Sequence, residues 1–146
     1  MPKKTLPRII SVSPLPNSLA LRVRWTTGEE TDIDVFGPIH TFKLYEPLRH
    51  SAELFASVRV GEHGTDIVWT DEIDMSADTL RRLADEQTGV TMAPEAFRLW
   101  REKKAYTLDS AARALGLSRR MVAYYEQGDK PIPRVVALAT KALEHF

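Results

Sequence analysis

The hydrophobic pattern of this chain changes period near Gly89, and that change limits the folds open to it more than any other feature. Before it, Leu19, Leu21, Val23 and Trp25 alternate with Ala20, Arg22 and Arg24, the period of two that puts one face of a strand in a core and the other in water. After it, apolar residues recur at helical spacing to the end. A chain of 146 residues can hold one domain or two small ones. The switch favours two. Residues 1–88 read as an α+β domain with a small antiparallel sheet and one or two helices, and residues 92–146 as an all-α domain.

Within the first part, Arg8 to Val12 reads as a strand, Pro16-Asn17-Ser18 as a turn and Leu19 to Trp25 as a second strand. Thr27-Gly28-Glu29 then turns the chain into a third, Thr31 to Phe36, which completes a meander. Pro47 to Ala56 carries helical spacing in Leu48, Leu54 and Phe55. Two short apolar runs, Ser57 to Val60 and Asp66 to Thr70, flank Gly61-Glu62-His63-Gly64 and predict a second hairpin. Ser76 is a suitable N-cap with Asp78 in the first turn behind it, so a helix is predicted over Ala77 to Glu86, ending near Thr88-Gly89.

Four helices fit the second part. Pro94 and Glu95 open one that runs to about Lys104, and Thr107 caps a second from Leu108 to Leu115. Gly116 breaks it. Ser118 caps a third to Gln127, Gly128 closes that one, and Pro133 starts a fourth through Leu143. The middle pair, joined by a tight turn, must cross. Ala112 faces the crossing, and Leu115, Leu117, Val122 and Tyr125 face inward. Arg119, Arg120, Met121, Ala123 and Tyr124 are left outward. Two guanidinium groups and a phenol near a helix N-terminus suit base edges in a major groove.

Charge agrees once it is counted by part. The formal net charge is zero, yet residues 1–90 hold 10 Lys/Arg against 14 Asp/Glu, net −4, whereas residues 91–146 hold 10 against 6, net +4. Only the second part has the sign that phosphates attract. The absence of cysteine excludes disulfides, thiolate metal sites and cysteine nucleophiles. No apolar stretch follows Met1-Pro2-Lys3-Lys4, and no run approaches the roughly 18 residues of a membrane span, so a cytoplasmic protein is expected.

At Leu108-x3-Ala112-x3-Gly116-x5-Val122-x2-Tyr125-Glu126-x-Gly128 the sequence resembles the helix-turn-helix family of the phage Cro and C1 repressors, over about residues 92–144. The resemblance implies a bundle of four or five helices with residues 118–127 in the major groove. It places Arg119, Arg120 and Tyr124, with Met121 beside them, where the family reads base edges. It places Thr107, Ser118, Arg113 and Lys130 against phosphate, and it makes Arg101 and Glu126 a structural ion pair. The family usually has glutamine at the position of Leu108.

The N-terminal part has a resemblance of its own. Pro7-Arg8-Ile9-Ile10-Ser11-Val12, Leu21-x-Val23-x-Trp25-x2-Gly28, Leu54-Phe55 and Ile67-x-Trp69-x4-Asp74-Met75 resemble a family of small bacterial domains of unknown function. Members are often found beside toxin-antitoxin genes and are sometimes fused to a helix-turn-helix. This resemblance covers about residues 7–83 and implies a mixed α+β unit.

Other signals point to no chemistry. Asp32 and Asp34 share one strand face opposite Ile33 and Val35, as on any half-solvated strand, and Asp66, Asp71, Glu72, Asp74 and Asp78 form no motif. His40, His50, His63 and His145 lack ligand spacing. There is no Gly-rich phosphate loop and no nucleophile elbow. Lys103 and Lys104 complement a helix C-terminus, and Trp25, Trp69 and Trp100 sit at core spacing.

The expectation is therefore a sequence-specific regulator with no enzymatic activity, cofactor or metal. It would bind double-stranded DNA as a homodimer across half-sites about 34 Å apart, with the N-terminal domain serving dimerisation, a protein partner or an effector. The rival is an antitoxin-like adaptor whose acidic N-terminal domain binds a protein. Leu108 and the acids Asp109, Glu126 and Asp129 near the presumed DNA face favour that rival.

Overall fold

The computed structural model describes residues 7–145; the basic start Met1-Pro2-Lys3-Lys4 lies outside them. The chain is α+β and divides into two compact units, Met1–Ala84 and Asp85–Phe146.

The first unit begins with strands β1 (Ile9–Pro14), β2 (Ala20–Trp25) and β3 (Glu30–Asp34), an antiparallel meander in the order β1-β2-β3. Leu21 pairs with Ile33 and Val23 with Thr31, a register that buries Leu21, Val23, Trp25 and Ile33 together. The opposite face carries exposed Arg22, Arg24 and Asp32. Trp25 closes the inner face and donates through Nε1 to Thr31 Oγ1 at 2.9 Å. Helix α1 (Phe36–Thr41), a 3-10 turn (Lys43–Tyr45), α2 (Glu46–His50) and α3 (Ala52–Ala56) follow. A second antiparallel sheet is built from β4 (Arg59–Val60), β5 (Asp66–Thr70) and β6 (Ile73–Ser76), and α4 (Ala77–Thr88) comes after it. Leu80, Leu83 and Ala84 of α4 join one core with both sheets. In that core Trp69 stacks on Phe55 and donates to its carbonyl at 3.0 Å.

Several expectations for this unit change. The third strand stops at Asp34 rather than Phe36, because Asp34 Oδ1 accepts from the Phe36 amide at 2.8 Å and turns the chain into α1. The helix expected over Pro47 to Ala56 is two pieces, broken where Ser51 becomes extended and its Oγ accepts from the Leu54 amide. The described residues of the unit hold four helices, not one or two, and β6 extends the second hairpin to three strands.

The second unit contains β7 (Thr91–Met92), α5 (Pro94–Lys103), α6 (Leu108–Leu115), α7 (Arg119–Gln127), β8 (Ile132–Pro133) and α8 (Arg134–Leu143). It is not all-α: β7 and β8 pair antiparallel, Thr91 against Pro133 and Met92 against Ile132. Phe97, Trp100, Ala111, Ala112, Val122, Tyr125, Ile132 and Val136 make its core.

The helix ends explain the sharp corners. α6 opens on a capping box, Thr107 Oγ1 accepting from the Ser110 amide and Ser110 Oγ from the Thr107 amide. It closes on Gly116 at φ 71°, with the Leu117 amide donating to the Ala112 carbonyl at 2.8 Å. α5 ends in the same motif, the Tyr106 amide donating to Arg101, but its left-handed residue is Ala105 at φ 56°. A side chain there costs about 1–2 kcal/mol, offset in part by the greater unfolded-state freedom of glycine. Ala105 is exposed and packs nothing away. Ala105→Gly is therefore expected to stabilise by about 0.5–1 kcal/mol, seen as a higher urea midpoint at unchanged m-value. A lower midpoint would count against the strain.

Candidate nucleic-acid interface

The pair α6 and α7 shares one core in which α6 contributes its alanines and α7 larger side chains. Ala111 and Ala112 are buried on α6, and Val122 and Tyr125 on α7, with Leu108, Leu115, Leu117 and Met121 half-buried around them. Tyr125 packs edge-on against Phe97 at 5.8 Å. That contact fixes the rotation of α7, so Arg119 and Arg120 are left exposed and Tyr124 lies at the surface beside them. Met121, expected among the outward residues, instead packs against the core with part of its surface. Leu108, where the repressor family usually has glutamine, packs there too.

Arg101 and Glu126 hold α7 from behind. Arg101 Nε donates to Glu126 Oε1 at 2.6 Å and its Nη1 to the Tyr106 carbonyl at 3.0 Å, both side chains being mostly buried. Such a pair fixes geometry more than it adds net stability. Lys104 has a structural role as well, its Nζ donating to the Leu143 carbonyl at 2.8 Å near the end of α8.

At the front of α7, Ser118 Oγ accepts from the Met121 amide and caps the helix. The first turn holds no acidic residue and starts with two arginines. Two cations at the positive end of a helix dipole are locally unfavourable, and an anion there relieves the conflict. Asp109 of α6 does so only weakly, its Oδ1 3.8 Å from Arg119 Nε with both side chains about two-thirds exposed, where an ion pair is worth about 0–1 kcal/mol. Arg113 is exposed, and with Asp109, Ala112, Leu117 and Arg119 it lines a shallow pocket of about 400 Å³ between the helices. The Thr107 hydroxyl is engaged by its capping box.

Arg120, Tyr124 and Lys130 come together as the sequence reading did not foresee. Arg120 Nε donates to the Tyr124 hydroxyl at 2.5 Å, and the Arg120 Cζ and Lys130 Nζ lie 5.4 and 5.5 Å from the centre of the Tyr124 ring. The spacing i, i+4 of Arg120 and Tyr124 was the available signal. The approach of Lys130 depends on the left-handed turn at Gly128.

The acidic residues of the first unit do not converge. Asp32 accepts from Arg22 Nε at 2.9 Å, and that guanidinium holds its carboxyl below the usual range. Asp34 serves the start of α1. Among the described residues no group of three or more His, Asp or Glu is placed to hold a metal ion, and no helix is long and apolar enough to cross a membrane.

These features define a two-unit α+β chain whose second unit presents a basic, solvent-facing helix on a crossed helix pair. Residues 9–86, more than half of the chain, match the family described as a protein of unknown function, DUF2442, and the chain belongs to that family. It is also similar to the crystal structure of "Putative DNA Binding Protein NE0471" from Nitrosomonas europaea ATCC 19718. The identity is 34%, the match covers 99% of this chain and 90% of that one, and the TM-score is 0.55. No curated protein matches the chain.

Proposed function

We propose that the chain is a sequence-specific DNA-binding regulator of the helix-turn-helix type, with α7 lying in the major groove and no catalytic step. The observation that carries this reading is the first turn of α7, where Arg119 and Arg120 are exposed at the positive helix end while Val122 and Tyr125 anchor the opposite face. A duplex supplies what that turn lacks, base-edge acceptors flanked by phosphates. Arg113, Lys130 and the capped start of α6 flank it as phosphate contacts. The name of the Nitrosomonas europaea protein agrees with this reading.

One short recognition helix reads few bases, so the working form is a homodimer on two half-sites. Val135 and Leu138 on α8 are 71% and 52% exposed and three residues apart, one apolar stripe suited to a second copy.

The test is the affinity of the full chain for a random-sequence duplex as salt is varied. With Arg113, Arg119, Arg120 and Lys130 on phosphates or bases, log K should fall against log salt with a slope of about −3 to −4 per chain. A flat or absent response favours the adaptor. For that reading the specific observation is on the acidic first unit, where Phe36, Phe42 and Leu44 are each about half exposed in and after α1 and Phe36 stacks on His40 at 3.9 Å.

A further inference from the structure

Within the DNA-binding reading, on which this inference rests, we propose that Arg120 reads a guanine and that Tyr124 is the positioning residue that makes it do so. A surface arginine samples many rotamers and offers five donors in several orientations. Arg120 does not have that freedom. Its Nε–H is taken up by the Tyr124 hydroxyl one helical turn along, and its guanidinium lies over the phenol ring. With Nε occupied, the donors left to a ligand are those of Nη1 and Nη2, the end of the fork. Two parallel donors match a base edge with two adjacent acceptors. In the major groove guanine presents O6 and N7, whereas adenine presents N7 beside an N6 donor that repels the second N–H. The held arginine therefore selects G·C over A·T.

Lys130 completes the unit. Its ammonium is 5.5 Å from the same ring, on the loop that leaves α7. A lysine is a point charge without planar geometry, so it adds attraction for phosphate and carries no base preference. Tyr124 thus separates two tasks between two cations: it orients the one that specifies and keeps near it the one that attracts. The core does not need Tyr124 for this helix, because Tyr125 makes the contact with Phe97.

The experiment is selection of bound sequences from a random duplex pool by the full chain and by its Arg120→Ala and Tyr124→Phe variants. It is paired with ¹⁵N NMR of the Arg120 Nε–H in the protein without DNA. The wild type should enrich a motif with a guanine at one position of each half-site, and Arg120→Ala should lose that position alone. Tyr124→Phe keeps the ring and removes the acceptor. It should lower the guanine preference at the same position by about three- to tenfold, leave the other positions unchanged, and broaden the Nε–H resonance. A motif whose Arg120-dependent position is not guanine, or one that Tyr124→Phe leaves unaltered, overturns the inference while the DNA-binding reading stands. No enriched motif from folded wild-type protein overturns both.

Discussion

Replacing Arg119 and Arg120 together by alanine is expected to weaken binding to a selected duplex by about 30-fold to 10⁴-fold while leaving the protein as stable as before or slightly more so. The loss follows from one good arginine–base pair being worth about 1–3 kcal/mol, with two such pairs removed. The stability follows from the start of α7. Both side chains are exposed, alanine is the strongest helix former, and each cation removed from a helix N-terminus relieves about 0.3–1 kcal/mol of unfavourable interaction with the dipole, which together offset the loss of the solvent-exposed Arg120–Tyr124 hydrogen bond. Opposite signs for binding and stability are the mark of residues kept for function against local preference. Fluorescence anisotropy with selected and unrelated duplexes at one salt concentration, together with a thermal melt, measures both. Binding to the unrelated duplex should fall by a smaller factor, with the salt slope reduced by about two. A stable double variant that binds both duplexes as tightly as the parent would remove α7 from the contact and leave the apolar surface around Phe36, Phe42 and Leu44 as the place to seek a partner.

What the sequence made readable, and what it hid, divides along the range of the forces involved. The caps Ser76, Thr107 and Ser118 and the stop at Gly116 act within a few residues of themselves, so α4, α6 and α7 were legible to within one or two positions. Helix α1 was hidden because its six residues, Gly37 and Pro38 among them, are too few to show a helical period. Proline is tolerated there, since the first amides of a helix have no acceptor within it and a ring near the start displaces no bond. The ribbon of β7 and β8 was hidden for the opposite reason. It joins two residue pairs some 40 positions apart, and strands of two residues leave no alternation to detect. In the candidate interface, the inward positions Ala112, Val122 and Tyr125 followed from helical spacing. The hold of Tyr124 on Arg120, and the packing of Leu108 and Met121 against the core, depend on rotamers and neighbours that spacing does not specify.

The division into two units predicts a second large effect. Phe97 is fully buried, with Trp100 at 5.5 Å and Tyr125 at 5.8 Å, and it links α5 to α7 at the centre of the second core. Phe97→Ala removes both ring contacts and leaves a cavity, a loss of about 3–5 kcal/mol. A unit of about 60 residues has a total stability of only about 3–9 kcal/mol, because so small a unit buries a modest share of its surface. The loss is comparable in size with that total, so on warming the second unit of the variant should unfold well before the first. The first unit draws on a separate core, from Ile9 to Ala84, that includes neither Phe97 nor its partners. In ¹H–¹³C methyl spectra, signals of Val122, Ile132 and Val136 should collapse to unfolded positions while those of Val23, Ile33 and Ile67 stay dispersed, and duplex binding should vanish with the first group. Loss of both groups together would mean that the two cores fold as one cooperative body, and the effect of any interface variant on binding would then have to be separated from its effect on the whole chain.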